Sequence, residues 1–231
     1  MTRRGRFDQS LLPDHPDLTF ERDLWQRGAK IVAGVDEAGR GALAGPVAAG
    51  AVVLSPEAVD LENSLKKVRD SKEMTPEERD FWAGAIKEKA LAWGVGFASN
   101  TEIDDMGILP ATCLAASRAL AQLAMRVEHI LVDYITLPDE ISPQTALVRG
   151  DARSLSIACA SVLAKTARDA LLAQMDEAFP GYDFTRNKGY ATRAHRLAIG
   201  KLGPCPQHRR TFAPVKDYYS LFPPEIEDKS G

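Results

Sequence analysis

The sequence predicts an α/β fold: a mixed sheet flanked by helices, with a small basic, partly helical segment towards the C-terminus. Two apolar runs within residues 31–54, joined by a glycine-rich stretch, indicate a pair of antiparallel strands. Helical and strand patterns then alternate along the chain, which is typical of a sheet with helices on its faces. At 231 residues the chain is long enough for one domain with a small appendage.

Apolar spacing and capping residues predict the elements that follow the first strand pair. A short strand is expected over 61–68. A helix is expected to begin at Thr75–Glu78, because this segment supplies an N-cap, a first-turn proline and a capping-box glutamate. We expect Gly94 to end this helix. Its predicted buried face consists of Phe81, Trp82, Ala85, Ile86, Ala90 and Trp93.

The second half of the chain continues the alternation, after a lead-in over residues 1–29 that shows little periodicity. Expected strands lie near 95–97, 129–132 and 146–148, and the segment 134–145 is expected to be a loop. Expected helices cover about 108–125, 154–179 and 192–201.

Carboxylates stand at the ends of three predicted strands. Asp36 and Glu37 end the first strand, Asp133 follows the strand near 129–132, and Asp151 follows the one near 146–148. Strand ends of α/β sheets meet at ligand sites, so these acids are expected to converge. Such a cluster resists ionisation unless a cation offsets it, and oxygen ligands select Mg²⁺ or Mn²⁺. Any one of these acids alone is more often an ordinary surface carboxylate; their repetition favours a metal site.

The glycine-rich stretch after Glu37 also predicts a site. A solvated hairpin turn is the simpler interpretation, because acids and glycine are common in turns. A turn needs only two to five residues, however, whereas about nine separate the two apolar runs here. Glycines at Gly39 and Gly41 allow a ligand to approach the bare backbone.

Charge is distributed unevenly along the chain. The net charge is −3, yet the segment 186–216 holds eight basic residues and no acid, so it is +8. The other 21 basic residues face 32 acidic ones, which leaves the remainder at −11. A solvated basic face is the simpler explanation, but so long an acid-free window in an acidic chain favours an anionic polymer as partner.

Composition excludes several classes of protein. No apolar run approaches the roughly 20 residues of a membrane helix, and the start MTRRGR lacks the apolar core of a signal peptide. Three widely spaced cysteines predict reduced thiols in the cytoplasm rather than a disulfide framework or a zinc site. No membrane partner is expected, and we expect a monomer.

Seven motifs, in order, resemble those of one enzyme family. They are VDEAGRG at 35–41, AGPV at 44–47, DSK at 70–72, LVD at 131–133, RGDARSLSIACASVLAK at 149–165, NKGYAT at 187–192 and GPCPQHRRTFAPV at 203–215. Over about residues 31–216 the chain resembles ribonuclease HII. The resemblance implies a ribonuclease H-like fold, a divalent-metal site, and cleavage of the RNA strand of RNA–DNA hybrids. It also implies cutting 5′ of single ribonucleotides in duplex DNA, which leaves 3′-OH and 5′-phosphate ends.

The resemblance assigns roles to individual residues. It places the metal-site carboxylates on Asp36, Glu37, Asp133 and Asp151, and the glycine–arginine–glycine element on Gly39, Arg40 and Gly41. The tyrosine that stacks near the ribose and helps to sense its 2′-hydroxyl falls on Tyr190. Glycine backbone can approach a sugar closely enough to contact that hydroxyl, which supports the assignment. Lys72, Lys165 and Arg209 are candidate contacts with substrate phosphates, although each alone could be a solvated cation, and Lys188 is also expected to bind substrate.

Four segments are expected. They are a partly ordered lead-in (1–29), a ribonuclease H-like catalytic domain (30–185), a basic substrate-binding segment packed on it (186–216) and an acidic tail (217–231). His195 and His208 lack metal-type spacing and are expected to be structural or to face phosphate. The chain departs from the usual family pattern at Ala42, Tyr134, Ile135, Arg149 and Asn187, and none of these changes removes a carboxylate.

Two other functions remain open at this point. One is a nuclease or recombinase of the same fold that acts on DNA alone; the Gly39–Gly41 element together with Tyr190 argues against it. The other is a non-catalytic nucleic-acid-binding module. A binding module has no use for four carboxylates that repel phosphate.

Overall fold

The computed structural model describes residues 12–133, 136–138 and 142–222. Predictions for 1–11 of the lead-in, for Tyr134 and Ile135, for 139–141 of the loop and for 223–231 of the tail lie outside the described residues. No described helix is both long enough and apolar enough to cross a membrane. The elements are α1 Thr19–Gln26, β1 Val32–Ala38, β2 Val47–Val53, α2 Leu61–Leu65, α3 Pro76–Lys89, β3 Ala92–Ala98, α4 Asn100–Met106, α5 Ile108–Ala121, β4 His129–Asp133, β5 Gln144–Leu147, α6 Leu155–Ala178, α7 Phe184–Asn187, α8 Arg193–Leu202 and α9 Val215–Leu221.

The strands form one mixed sheet in the order β3-β2-β1-β4-β5. β2 runs antiparallel to both β1 and β3, which confirms the predicted opening pair. β1, β4 and β5 run parallel to one another, and Val35 of β1 lies opposite Val132 of β4. The carboxyl ends of β1 and β4 therefore lie side by side, and the acids at these ends share one edge of the sheet.

Helix α5 covers one face of the sheet and α6 covers the other. Ala111, Ala115 and Ala119 of α5 pack in one apolar cluster with alternate residues of β1 and β2. On the opposite face Gly50 of β2 lies beneath α6. An added Cβ there would stand 2.2 Å from the carbonyl oxygen of Ala160, so this close packing of helix on sheet requires glycine.

The structure confirms the capping box of Thr75 with Glu78 and the long helix over most of 154–179. Three details of the first half were wrong. The segment 61–68 contains helix α2 rather than a strand. Helix α3 ends at Lys89, and Gly94 lies within β3. Phe81 and Trp93 are 67% and 37% exposed, because α3 buries only one narrow side and Trp93 is already in the next strand. The short helices α2, α4, α7 and α9 were not predicted.

The described part of the lead-in contains a helix that packs into the domain. Glu21 of α1 is fully buried. Its Oε1 accepts hydrogen bonds from the hydroxyl groups of Ser154 (2.6 Å) and Ser156 (2.6 Å), at the start of α6. Helix α1 thereby braces the 3-10 turn Gly150–Ala152, which carries Asp151.

Candidate active site

The four predicted carboxylates lie at one edge of the sheet. Asp36 and Glu37 stand near the end of β1, and Asp133 is the last residue of β4. Asp151 lies in the 3-10 turn that leads into α6. Asp36 is close enough to the other three acids for their charges to raise its pKa. The fold therefore brings together acids that are separated by up to about half of the chain.

The pKa values of all four carboxyl groups are raised, and burial is the largest cause for each of them. The pKa of Asp36 lies well above its ordinary value, because Glu37, Asp133 and Asp151 add to the effect of burial. The pKa of Asp151 rises to about 6. Arg40 opposes the rise at Glu37. Acids that resist ionisation in this way gain from any cation placed among them.

Each of these carboxylates has a polar partner. Oδ1 of Asp36 accepts from the backbone N–H of Glu37 (2.7 Å), and Oε1 of Glu37 pairs with Arg40 (3.1 Å). Asp133 accepts from the backbone N–H of Gly150 (2.7 Å). With these side-chain positions, the described residues contain no group of three or more His, Cys, Asp or Glu close enough to enclose a metal ion.

Lys72 places a positive charge beside the acids. Its Nζ lies 3.8 Å from Asp70 and 3.8 Å from Asp151. Partial burial alone lowers the pKa of Lys72, but the surrounding carboxylates outweigh this effect and raise it. The Lys72 ammonium group therefore offsets part of the negative charge of the cluster.

A cavity of about 640 Å³ opens beside the acids. Of the four carboxylates, Asp36, Glu37 and Asp133 line it, whereas Asp151 does not. Of the residues predicted to contact substrate, the lining contains Gly39, Arg40, Gly41, Lys72, Lys165, Lys188 and Tyr190. Arg186, from the predicted basic binding segment, also lines the cavity, and the lining residues that sequence reasoning missed include Ser71, Arg79 and Asp169.

Gly39 and Gly41 are glycines for different reasons. Gly39 has a φ of +92°, and an added Cβ would lie 1.9 Å from Nε of Arg168. At Gly41 no atom lies within 4 Å of the position of an added Cβ. Only Gly41 therefore fits the prediction of bare backbone open to a ligand, whereas Gly39 makes room for an arginine behind the loop.

Tyr190 is half-buried between two cationic side chains. Nζ of Lys165 lies 5.9 Å from the centre of its ring, and the guanidinium carbon of Arg168 lies 5.5 Å away. An isolated bridge also pairs Tyr190 with Ala42 of the glycine-rich stretch. The tyrosine is thus held against the loop, with its ring at the cavity wall.

A buried ion-pair network fixes Lys165. Its Nζ lies 2.5 Å from Oδ1 of Asp169, whose Oδ2 accepts from Arg79 (3.0 Å). Arg79 also donates to the carbonyl oxygens of Ser71 (3.1 Å) and Met74 (2.6 Å). This network links α6 to the segment that carries Lys72. The 165/169 spacing of a Lys and an Asp on one helix was its only signal in the sequence.

Arg209 does not reach the cavity, which corrects its prediction as a phosphate contact. It is fully buried, and its guanidinium group donates to the carbonyl oxygens of Gly39 (2.8 Å), Arg40 (2.8 Å) and Gly45 (3.0 Å). These bonds use every nitrogen of the side chain. Arg209 therefore supports the glycine-rich loop from within.

His195 and His208 are buried against each other. Nδ1 of His195 bonds to the carbonyl oxygen of Tyr190 (2.9 Å), and the two Nε2 atoms lie 3.0 Å apart. The backbone N–H of Cys205 donates to Nδ1 of His208 (3.0 Å). Of the two expected roles, the structural one applies, because neither ring faces a surface where phosphate could bind.

The profile of the family described as Ribonuclease HII matches residues 33–215. The ribonuclease HII of Synechococcus sp. (strain JA-3-3Ab) is 54% identical over 202 residues, which cover 87% of this chain and 90% of that relative. The ribonuclease HII of Dehalococcoides mccartyi (strain ATCC BAA-2266) is 46% identical over 89% of this chain and 97% of its own length.

Solved structures share the fold at low sequence identity. The ribonuclease H2 of Pyrococcus horikoshii OT3 matches with a TM-score of 0.69 and 22% identity, over 83% of this chain and 98% of that one. Bst-RNase HIII in complex with Mn²⁺ matches with a TM-score of 0.60 and 21% identity, over 85% of this chain and 71% of that one. Together, the mixed sheet, the family profile and relatives that span nearly the whole domain establish that this chain belongs to the ribonuclease HII family, and is thus an endoribonuclease of the ribonuclease H type that acts on RNA–DNA hybrids.

Proposed function

We propose that this enzyme requires a divalent metal and that, besides cutting the RNA strand of hybrids, it cuts 5′ of single ribonucleotides embedded in duplex DNA. The products are 3′-hydroxyl and 5′-phosphate ends. One observation carries the proposal: acids with raised pKa values line the same cavity as a glycine-rich loop and Tyr190.

The donor set suits Mg²⁺ or Mn²⁺. Asp36, Glu37, Asp133 and Asp151 are the residues that would hold the ion, and carboxylate oxygens are the ligands these cations prefer. Their repulsion is only partly offset by Lys72. A bound divalent ion would neutralise the charge that develops at the scissile phosphate. The chain's own part is to hold the acids at a fixed edge, since β1, β4 and the turn before α6 are all packed in the core.

The glycine-rich loop and Tyr190 in the same cavity support recognition of a ribose. The open side of Gly41 leaves room for a sugar, and Arg40 can hold the adjacent phosphate. The Tyr190 ring offers a surface against the sugar, and its hydroxyl group is available near the same phosphate. A 2′-hydroxyl is the only chemical difference between a ribonucleotide and its deoxy counterpart, so contacts at this position decide specificity.

Cations around the cavity supply contacts with the backbone. Lys72 is largely exposed, and Lys188 and Arg186 line the same cavity. Lys165 is held by Asp169, so it contributes from a fixed position. In this proposal residues 30–185 form the catalytic domain, and 186–216 form a binding segment packed on it. We also expect a monomer in the cytoplasm; the free cysteines Cys113, Cys159 and Cys205 suit a reducing compartment.

Three labelled duplexes test the proposal: an RNA–DNA hybrid, a DNA duplex with one ribonucleotide, and an all-DNA duplex of the same sequence. Each is incubated with Mg²⁺, with Mn²⁺ or with EDTA. We expect metal-dependent cutting of the first two and none of the third, with a 5′-phosphate on the downstream fragment. Equal cutting of all three would indicate a nuclease without ribose recognition. Tight binding with no cutting under any condition would indicate a binding module.

A further inference from the structure

Two fully buried arginines lie behind the glycine-rich loop. Arg168 of α6 donates from Nε to the carbonyl oxygen of Pro46 (2.9 Å) and from Nη2 to that of Ala44 (3.1 Å). Its Nη1 donates to the carbonyl oxygen of Lys188 (2.9 Å), in the turn that leads to Tyr190. One side chain therefore ties the loop to the segment that carries the tyrosine.

The second arginine, Arg209, holds the front of the same loop through the carbonyl oxygens of Gly39, Arg40 and Gly45. Neither arginine forms an ion pair with a carboxylate in the described part of the chain. A buried guanidinium group is costly unless it is hydrogen-bonded, and here all six side-chain nitrogens of the two arginines donate to backbone carbonyls. The positions of these carbonyls are thus strongly determined.

The loop carbonyls that point at Arg209 also determine the direction of the N–H groups in the same peptide planes. The C=O and N–H of one peptide plane point in opposite directions. The carbonyls of Gly39 and Arg40 point inward at Arg209, so the N–H groups of Arg40 and Gly41 point the other way, towards the cavity that both residues line. Neither N–H donates to an acceptor within the described residues.

Two glycines make room for this arrangement. An added Cβ at Gly39 would overlap Nε of Arg168 at 1.9 Å, as described above. At Gly189, which has a φ of +78°, an added Cβ would lie 2.5 Å from the carbonyl oxygen of Ala44. The N–H of Leu43 donates to the carbonyl oxygen of Gly189 (2.7 Å), so the loop and the tyrosine turn are also joined directly.

We propose that Arg168 and Arg209 are positioning residues for specificity: they hold the carbonyls of the loop inward, so that the N–H groups of Arg40 and Gly41 meet the 2′-oxygen of a ribonucleotide, at a fixed distance from Tyr190. This inference rests on the proposed recognition of ribose. It gives the buried arginines a role in discrimination rather than in the binding of phosphate.

The test uses Arg168→Lys and Arg209→Lys, which keep the charge but lose the planar fork that reaches three carbonyls. Binding is measured in EDTA for a DNA duplex with one ribonucleotide and for the all-DNA duplex. We expect the ratio of the two affinities to fall by about tenfold, the effect of losing one or two hydrogen bonds. Affinity for the all-DNA duplex should change by less than about threefold, since phosphate contacts remain. Leu65→Ala, a core truncation in another apolar cluster, serves as a control for lowered stability.

The outcomes separate the inference from the proposed function. If the wild type binds both duplexes equally, ribose recognition itself fails. If the wild type discriminates and both lysine variants discriminate equally well, only the role of the arginines fails. If Leu65→Ala loses discrimination to the same extent, or if neither lysine variant folds, the arginines maintain the fold in general, and the inference is overturned.

Discussion

The acidic edge of the sheet and the basic segment 186–216 both contribute to the cavity. They differ in how well the sequence predicts where their charged side chains lie. The four predicted acids gather at one edge of the sheet, and three of them, Asp36, Glu37 and Asp133, line the cavity. Of the eight basic residues in the segment, Arg186 and Lys188 line the cavity, and Arg209 points into the core. Strand ends leave an acid little choice of direction, whereas a cation on a loop can turn towards backbone carbonyls as easily as towards solvent. The sequence therefore gives the charge of a side chain, but it does not give the direction in which that side chain points.

Removal of an acid should have the largest effect. Asp36→Asn or Asp151→Asn should lower Mg²⁺-dependent cleavage by about three orders of magnitude, ~4 kcal/mol in transition-state terms, because each supplies charge for the metal site. Stability should not fall with activity, since the pKa of each acid is raised and its ionised form is disfavoured in the fold. Single-turnover cleavage and urea unfolding measure the two quantities.

Asp80→Asn provides the matched control, because Asp80 is an exposed acid on α3 that does not line the cavity. It should leave both cleavage and stability unchanged. Near-wild-type turnover by Asp36→Asn or Asp151→Asn would remove that residue from the catalytic set.

Replacement of two arginines of the basic segment should affect the stability of the protein very differently. Arg209→Gln should lower the free energy of unfolding by about 3 kcal/mol, because buried carbonyls lose charged donors. Arg186 is 85% exposed, and its ion pair with Asp183 is long, at 3.8 Å. Arg186→Gln should therefore change stability by less than about 0.5 kcal/mol. Urea unfolding of the two variants beside the wild type gives the comparison.

The same two variants should rank in the opposite order when the salt dependence of substrate binding is measured. If Arg186 meets a phosphate, Arg186→Gln should lower the slope of log affinity against log salt by about 0.9. Arg209→Gln should leave the slope unchanged, provided that the variant is folded at the temperature of the measurement. A lower slope for Arg209→Gln with an unchanged slope for Arg186→Gln would mean that the inward and outward roles have been assigned the wrong way round.

Tyr190 lies at the junction of the two regions, and its replacement should have an intermediate effect. Tyr190→Phe keeps the ring between Lys165 and Arg168, so binding should change little, while cleavage at a single ribonucleotide should fall by about 1 to 3 kcal/mol in transition-state terms. Tyr190→Ala should lose more. Single-turnover cleavage is the measurement, and Tyr219→Phe on α9 is the control. A Tyr190→Ala enzyme that cuts normally would exclude the tyrosine from recognition.

Local patterns predicted much of this molecule, and long-range contacts account for what they missed. The proximity of Asp36 and Asp133 was predictable, because the carboxyl ends of neighbouring parallel strands lie at the same edge of the sheet. The capping box at Thr75 was predictable because its contacts span three residues. Arg168 looks like any arginine of an alanine-rich helix, and its partners Ala44 and Pro46 lie in a loop far along the chain. Only the packing of α6 on the sheet brings them together, and a single sequence carries no signal of that contact.

Helix α1 shows the same limit. Its apolar residues Phe20, Leu24 and Trp25 do recur at helical spacing and pack against a core cluster, but eight residues are a short window, and the fully buried residue Glu21 is an acid. Burial raises the pKa of Glu21, against the effect of the serine hydroxyls at the start of α6. An apolar pattern does not reveal that a carboxyl group is buried against the start of α6, so the contact of α1 behind Asp151 was missed.

The smallest expected effect is in the pH dependence of stability, where the two regions should act in opposite directions. The pKa of Asp151 is raised to about 6, so the fold gains stability as pH falls through that value, until the unfolded chain is also protonated. The pKa of His208 is lowered to about 4 by burial, with a smaller contribution from His195. Its contribution is therefore complete above the unfolded value near 6.5 and is lost as pH falls towards 4.

Burial and the neighbouring His195 ring lower the pKa of His208, against a smaller effect of its hydrogen bond with the Cys205 backbone. Nδ1 of His195 donates to the Tyr190 carbonyl, and the two Nε2 atoms lie only 3.0 Å apart, so there is room for a single hydrogen between them. Tyr182 packs against the His208 ring and brings no charge to offset a second proton. His208→Gln should thus make stability fall less steeply between pH 6.5 and 5, a difference of about 1 to 2 kcal/mol at pH 5, whereas Asp151→Asn should make it fall more steeply. Urea unfolding at half-unit pH steps measures both slopes; slopes that change in the same direction in the two variants would show that the two regions do not oppose each other.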